Sequence, residues 1–129
     1  MKTYWDSSAL IEAASNDVLR RRLAEDGGVT RTHTLAEVFS TLTGRHAGGR
    51  VTADKAAGIV AGLSADLDFE ELTAPEVLRA LAQAESKGVR GGRVHDYLHA
   101  VAAHKGRAGL ILTADRHGFD GLFPSVEQV

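Results

Sequence analysis

Short apolar segments alternate with amphipathic stretches along the chain, and this alternation predicts strands that are each followed by helices. Residues 2–6 and 29–32 are rich in β-prone side chains, and residues 109–113 (GLILT) form a continuous apolar run typical of a buried strand. Apolar residues also recur three and four positions apart, which predicts helices over residues 7–14, 17–25, 53–67 and 94–105.

A further helix is predicted in the segment TLAEVFSTLTGRHAGG, whose apolar residues lie on one stripe at Leu35, Val38, Phe39 and Leu42. Thr34 and Glu37 have the spacing of a capping box, so we expect the helix to begin there and to end at the glycines at positions 48 and 49. The remaining predicted elements are a strand over residues 68–72, a helix over residues 75–87 and a short strand at Val126.

Strands that alternate with helices favour a mainly parallel sheet, because a parallel pair needs a crossover connection and the crossover is usually a helix. The sequence therefore predicts an α/β fold with helices on both faces of the sheet. A chain of 129 residues without a linker or an internal repeat is expected to form a single domain over residues 1–129.

Composition narrows the class of protein. A hydrophobic fraction of 43% with 25% charged residues is typical of a globular protein and argues against disorder or a coiled coil. The absence of cysteine excludes zinc ribbons, thiol chemistry and disulfides. No apolar run approaches a membrane span, and Asp6 and Glu12 interrupt any signal peptide, so we expect a cytoplasmic protein. A net charge of −2 neither favours nor excludes nucleic acid.

Two aspartates follow predicted strands. Asp6 ends the first strand, and Asp115 follows GLILT in the loop TADRHGF. Ligands of open α/β sheets bind at the carboxyl ends of the strands, so Asp6 and Asp115 meet if their strands are central neighbours. Like charges in one pocket raise each other's pKa, and a hard divalent cation relieves that repulsion. The alternative for either residue is structural, namely solvation in a loop or capping of the next helix.

Other acidic residues have structural explanations as well. Glu37 fits the capping box, while Asp54 and Asp96 lie in first helical turns, where the helix dipole favours a negative charge. A crossover helix nevertheless begins near the carboxyl ends of the strands, so first-turn acids can face the same crevice.

Histidine supports a metal site only weakly. His95 and His99 have the spacing that places both on one face of a helix, but the glutamate that follows the first histidine of a zincin and a third ligand are both missing. Imidazoles that face solvent or accept hydrogen bonds are the simpler interpretation. No nucleotide-binding glycine loop and no serine-nucleophile motif occur in the sequence.

Four segments in order resemble the four successive motifs of PIN domains, and most closely those of VapC-type toxin ribonucleases: YWDSSALIE, THTLAEVFSTLTG, GGRVHDYLHAVAA and LILTADRHGFDGL. The resemblance covers nearly the whole chain. It implies a Rossmann-like, three-layer α/β/α sandwich with a five-stranded sheet, and an acidic quartet at the carboxyl ends of the strands, at Asp6, Glu37, Asp96 and Asp115.

The resemblance also implies roles for neighbouring residues. Ser7 and Thr113 occupy positions that approach the metal or the phosphate in the family, and Asp120 is a candidate fifth acid. Arg93 and Arg116 lie beside motif acids, where each is a candidate phosphate contact.

The implied activity is cleavage of RNA phosphodiesters by a toxin that depends on Mg²⁺ or Mn²⁺, since hard cations prefer oxygen ligands. Asp6 and Asp96 are the first candidates for direct metal ligands, with Glu37 and Asp115 completing the site. The resemblance also implies a homodimer and a cognate antitoxin. The predicted helices at residues 17–25 and 53–67 are candidates for its apolar docking surface.

Two other functions stay open. A metal-dependent phosphatase or phosphoacceptor domain also places an aspartate after its first strand, but a haloacid-type hydrolase needs a second aspartate where this chain has Ser8. A noncatalytic RNA- or protein-binding PIN module would not need the quartet, and all four acids are present.

Overall fold

A computed structural model describes residues 1–44 and 51–129. Within these ranges the strands are β1 (Thr3–Trp5), β2 (Val29–Thr30), β3 (Asp68–Phe69), β4 (Leu110–Thr113) and β5 (Val126–Gln128). The helices are α1 (Ser7–Ser15), α2 (Asp17–Asp26), α3 (Thr32–Thr43), α4 (Ala53–Ser64), α5 (Ala74–Ala82) and α6 (Val94–Lys105). Short 3-10 turns lie at Glu85–Lys87, Gly91–Arg93 and Arg116–Phe119. None of the helices described is long and apolar enough to cross a membrane.

The strands form one parallel sheet in the order β3-β2-β1-β4-β5. Strands β1 and β4 are neighbours at its centre, with Tyr4 opposite Ile111 and Trp5 opposite Leu112. The chain runs outward from β1 through β2 to β3, then crosses to β4 on the other side of β1 and continues outward to β5. The carboxyl ends of β1 and β4 therefore form the switch point at which open α/β sheets bind ligands.

Successive side chains of a strand point to opposite faces, and the central strands use this alternation to build two apolar layers. Tyr4 and Ile111 pack with α5 and α6, whereas Trp5 and Leu112 pack with α1, α2, α3 and α4. All four side chains are fully buried. Burial on both faces explains why these strands are continuous apolar runs, and it confirms the predicted three-layer α/β/α sandwich.

Several boundaries differ from the predictions. Strands β2 and β3 are shorter than predicted, and α4 ends at Ser64 because the chain turns there and brings Leu67 into the core. Helix α5 ends at Ala82, and the Glu85–Lys87 turn leads to Gly88 with φ +68°. The predicted end of α3 at the glycines at positions 48 and 49 lies outside the described residues.

Gly28, which precedes β2, is required by the packing of Trp5. A Cβ atom at position 28 would lie 2.5 Å from Trp5 Cδ1 and 2.9 Å from the Thr3 carbonyl oxygen. Trp5 is fully buried in the core, so its ring cannot move away without disturbing the packing around it. The close approach of β2 to β1 therefore needs a residue without a side chain.

We expect Gly28→Ala to lower the free energy of unfolding by about 1–3 kcal/mol, because the added methyl group overpacks a core at native density. Urea unfolding measures the loss. Gly58→Ala is the matched control. Gly58 lies within α4, and a Cβ atom at position 58 would have no heavy atom of another described element within 4 Å. The control should gain about 0.5–1 kcal/mol from helix propensity. Equal effects of the two substitutions would contradict the packing argument.

Candidate active site

Asp6 is buried at the end of β1, and three donors hold its carboxylate. Oδ1 accepts from the Ala9 backbone N–H at 2.9 Å and from Ser8 Oγ at 2.7 Å, and Oδ2 accepts from Thr113 Oγ1 at 2.6 Å. The residue is only 5% exposed, so solvation in a loop is the wrong interpretation, whereas its role as the N-cap of α1 is confirmed. Burial raises the pKa of Asp6 further than these hydrogen bonds lower it.

Ser8 joins the ends of the two central strands, although the sequence pointed to Ser7. Ser8 Oγ accepts from the Ala114 backbone N–H at 2.8 Å in addition to donating to Asp6. Thr113 Oγ1 in turn accepts from the Asp115 backbone N–H at 3.0 Å. The loop that carries Asp115 is therefore bonded through side chains to Asp6. The signal for Ser8 was local, because a serine two residues after a capping aspartate is placed to donate to it.

Asp96 and Asp115 approach each other around Gly118, a residue that sequence reasoning missed. A Cβ atom at position 118 would lie 2.6 Å from Asp96 Oδ2 and 3.3 Å from Asp115 Oδ2. Burial raises the pKa of Asp96, and the negative charges of Asp6, Asp115 and Glu37 add to the increase. Asp115 itself is exposed. These carboxylates thus form one mutually repelling group at the edge of the sheet.

Glu37 is bound to a histidine and does not take part in a capping box. Helix α3 begins at Thr32, ahead of the predicted start, because Arg31 is extended and the Thr32 N–H donates to Glu71 Oε1 at 3.2 Å. Thr34 is therefore inside the helix and fully buried. With the capping box ruled out, Glu37 Oε1 instead lies 2.8 Å from Nε2 of His99 on α6.

The surroundings of Glu37 keep it ionised. Burial acts to raise the pKa of Glu37, but the hydrogen bond from His99 and the proximity of His33 and His95 outweigh it, so the net pKa lies below its usual value. The side chain retains 24% of its exposure, and it lines a cleft of about 430 Å³. The other lining residues are Ser7, His33, Ala36, Ser40, Thr41 and His95.

The remaining candidates lie at the margin of the acidic group. Arg93 donates through its guanidinium to the backbone carbonyl of Asp120, which ties the start of α6 to the loop after β4. Arg116 is exposed in the same loop. The Asp120 carboxylate pairs with His117 Nδ1 at 3.2 Å, and both side chains are largely exposed. Asp120 is therefore engaged with His117, and none of its contacts joins it to the four main acids.

The carboxylate oxygens of this group are the ligands that a hard cation prefers. In the described part of the chain, no three histidine or carboxylate side chains are already close enough together to hold a metal ion. Mg²⁺ is commonly held by one or two carboxylates together with waters and substrate phosphates, so a complete protein cage is not required. Asp6 Oδ2 accepts a hydrogen bond from Thr113 and has a further lone pair. The charge of Asp6 also acts on Asp96, so the two carboxylates belong to the same site. Asp6 and Asp96 thus fit Mg²⁺.

Zinc fits less well. His99 has protein partners at both ring nitrogens, since Nδ1 lies 2.6 Å from the Tyr4 hydroxyl and Nε2 lies 2.8 Å from Glu37. A histidine needs a free nitrogen lone pair to bind a metal. His95 is exposed at the cleft.

Comparison with known families agrees with this fold. A family model described as PIN domain matches residues 3–122 of the 129 residues. The chain therefore belongs to the PIN domain family, which confirms the expectation from the four sequence motifs and gives the protein a nuclease-type fold. A comparison with curated proteins finds no match.

We expect Asp96→Asn to stabilise the metal-free protein at pH 7 by at most about 1 kcal/mol, because solvent screens a half-buried carboxylate. The pKa of Asp96 is raised in the folded state, so its ionised form opposes folding. As the pH falls through that raised pKa, wild-type Asp96 takes up a proton and the difference between the two proteins disappears. Thermal unfolding in EDTA at pH 7 and pH 4.5 measures this trend.

Asp54→Asn is the matched control, since Asp54 also lies in a first helical turn but is exposed on α4. This control should show no stabilisation, because only its favourable interaction with the helix dipole is lost. A destabilised Asp96→Asn variant at pH 7 would contradict the repulsion within the acidic group.

Proposed function

We propose that the protein is a Mg²⁺-dependent endoribonuclease that acts as a VapC-like toxin and cleaves RNA phosphodiesters. The observation that supports this most strongly is the gathering of carboxylates at the switch point of a PIN domain, beside an open cleft. The negative charges of Asp6, Asp115 and Glu37 all act on Asp96. Such a concentration of negative charge at a strand edge is unfavourable for folding, and a bound cation provides the compensation.

Each acid has a distinct part in this proposal. Asp6 and Asp96 bind the cation directly in this proposal, because Asp6 is fixed by its donors and Asp96 lies within the influence of its charge. Glu37 and Asp115 complete the coordination or orient the attacking water. When bound, Mg²⁺ supplies the Lewis acid that activates water and stabilises the leaving 3′ oxygen; Mn²⁺ is expected to substitute. One-metal and two-metal schemes are both compatible with four carboxylates.

The cleft beside Glu37 is the proposed path of the RNA. His33, His95 and the hydroxyls of Ser7 and Ser40 line it, and these side chains suit phosphate, ribose and unstacked bases. Thr113 is buried against Asp6, so its proposed role is to hold that carboxylate. Arg116 in the loop beyond β4 is a further phosphate contact in this scheme. The RNA that is cut is best found by sequencing RNA ends after brief expression.

The alternative functions have less support. Ser8, at the position where a haloacid-type hydrolase has its second aspartate, is itself bonded to Asp6. A noncatalytic binding module has no use for repelling carboxylates around one glycine.

We expect Asp96→Asn and Asp115→Asn to remain folded and to lose at least about 100-fold in Mg²⁺-dependent RNA cleavage, since each removes a charge from the proposed site. Cleavage of a defined single-stranded RNA is followed with Mg²⁺, with Mn²⁺ and with EDTA. Asp54→Asn serves as the control and should cleave like the wild type. In cells, the two variants should no longer inhibit growth.

Cleavage by Asp96→Asn at the wild-type rate would contradict the assignment of the acids as the metal site. Cleavage that persists in EDTA would argue against the metal. If the wild-type protein cleaves RNA but does not inhibit growth, the assignment as a nuclease stands and the assignment as a toxin is wrong.

The homodimer and the cognate antitoxin follow from the resemblance to VapC-type toxins. Their surfaces are less defined. Val18 of α2 is 74% exposed, and Leu78 and Leu81 of α5 are 66% and 43% exposed. The α2 and α4 surface therefore shares the role of candidate apolar docking site with α5.

An antitoxin that inserts an arginine among Asp6, Glu37, Asp96 and Asp115 would relieve the same repulsion as the metal, because a guanidinium binds carboxylates bidentately. We expect the complex carrying Ala at that arginine to retain binding and to regain cleavage. Binding is measured by calorimetry and cleavage on the same RNA. Retained binding with full inhibition would show that the antitoxin blocks RNA access without entering the acidic site.

A further inference from the structure

His99 is an unusual buried residue for its position. The other buried residues of α6 are Tyr97, Ala100, Ala102 and Ala103, and His99 is only 2% exposed among them. A buried imidazole is unfavourable unless its polar atoms have partners. Both ring nitrogens have one, and the partners come from β1 and α3, elements far from His99 in the sequence.

The partner on one side is Tyr4, at the centre of the sheet. Its hydroxyl lies 2.6 Å from His99 Nδ1, and the two rings pack edge to face with centroids 5.6 Å apart. A phenol that keeps its proton donates to Nδ1, which places the proton of a neutral imidazole on Nε2.

The partner on the other side is Glu37. An Nε2–H donates to Glu37 Oε1 at 2.8 Å and leaves the carboxylate at the wall of the cleft. Three residues on three separate elements thus form one hydrogen-bonded chain from the core of the sheet to the acidic group. The tautomer of the central imidazole decides whether the chain ends in a donor that faces Glu37.

We infer that His99 is a positioning residue, fixed by Tyr4 as its Nε2–H tautomer, which orients Glu37 towards the cleft. The inference rests on the proposed function and deepens it, because the proposed function is what gives Glu37 a role in RNA cleavage.

The first test reads the tautomer directly and needs no activity. Long-range ¹H–¹⁵N spectra of protein with ¹⁵N-labelled histidine are recorded at pH 8, with the His99 signals identified by their loss in His99→Gln. The wild type should show the Nε2–H tautomer, and Tyr4→Phe should shift the population towards a mixture. An Nδ1–H tautomer or a doubly protonated ring in the wild type would overturn the inference.

The second test compares two tyrosines. Tyr97 on α6 is also buried, and its hydroxyl donates to the Ala80 carbonyl oxygen at 2.9 Å. Tyr4→Phe and Tyr97→Phe each remove one buried hydroxyl, so we expect similar losses of thermal stability. Only Tyr4→Phe should lower kcat for RNA cleavage, by about 10- to 100-fold with little change in KM. Equal kcat values for the two variants would overturn the positioning role.

The third test asks for rescue by geometry. The amide nitrogen of Gln at position 99 takes roughly the place of Nε2, whereas Asn reaches only the place of Nδ1. His99→Gln should therefore retain more of the wild-type kcat than His99→Asn, and the reverse order would contradict the inference. If the wild-type protein cleaves no RNA, the proposed function fails, while the tautomer spectra still decide whether Tyr4 and His99 hold Glu37.

Discussion

The arrangement of the molecule depends on a carboxylate buried at the end of its central strand. An ionised Asp6 without partners would be strongly unfavourable in the core. Its donors come from the first turn of α1 and from the end of β4, through Ala9, Ser8 and Thr113. The order in which the chain adds strands reverses between β1 and β4, so the contacts that satisfy Asp6 also join the two halves of the sheet. A candidate metal ligand is thus a structural requirement of the fold, and its local role as a cap accompanies the chemistry and does not replace it.

The surroundings divide the acids into two kinds. Burial raises the pKa values of Asp6 and Asp96, whereas the contact with His99 brings the pKa of Glu37 below its usual value. Carboxylates whose environments move their pKa values apart are suited to different parts of one reaction. Glu37 stays negative over a wider pH range than an ordinary glutamate, while Asp6 and Asp96 gain from a neighbouring cation. This asymmetry arises because His33, His95 and His99 outweigh the effect of burial at Glu37, whereas burial dominates at Asp6 and Asp96.

Local sequence signals predicted the layers of the fold and the acids that follow the strands, because two-residue alternation and strand-end position are properties of nearby residues. Glu37 was located correctly on its helix, yet its partner was assigned wrongly, since the start of α3 depends on a contact between Thr32 and Glu71. Gly118 escaped detection for the same reason, and His99 was singled out only for its spacing from His95. Their importance comes from Asp96 and Asp115 in one case and from Tyr4 and Glu37 in the other, and neither neighbourhood exists until the sheet has formed.

The four carboxylates differ in how the protein holds them. Asp6 is held by three donors and Glu37 by His99, so their oxygens have defined positions before any ligand arrives. Asp115 is exposed on a loop, and Asp96 meets it across a glycine that adds no side chain between them. Mg²⁺ demands near-ideal octahedral geometry, and four rigidly held carboxylates that repel one another would rarely provide it. Under the proposed metal dependence, Asp6 and Glu37 would define the location of the cation. Asp96 and Asp115, whose carboxylates accept no hydrogen bond from the described residues, would bind it without first breaking one.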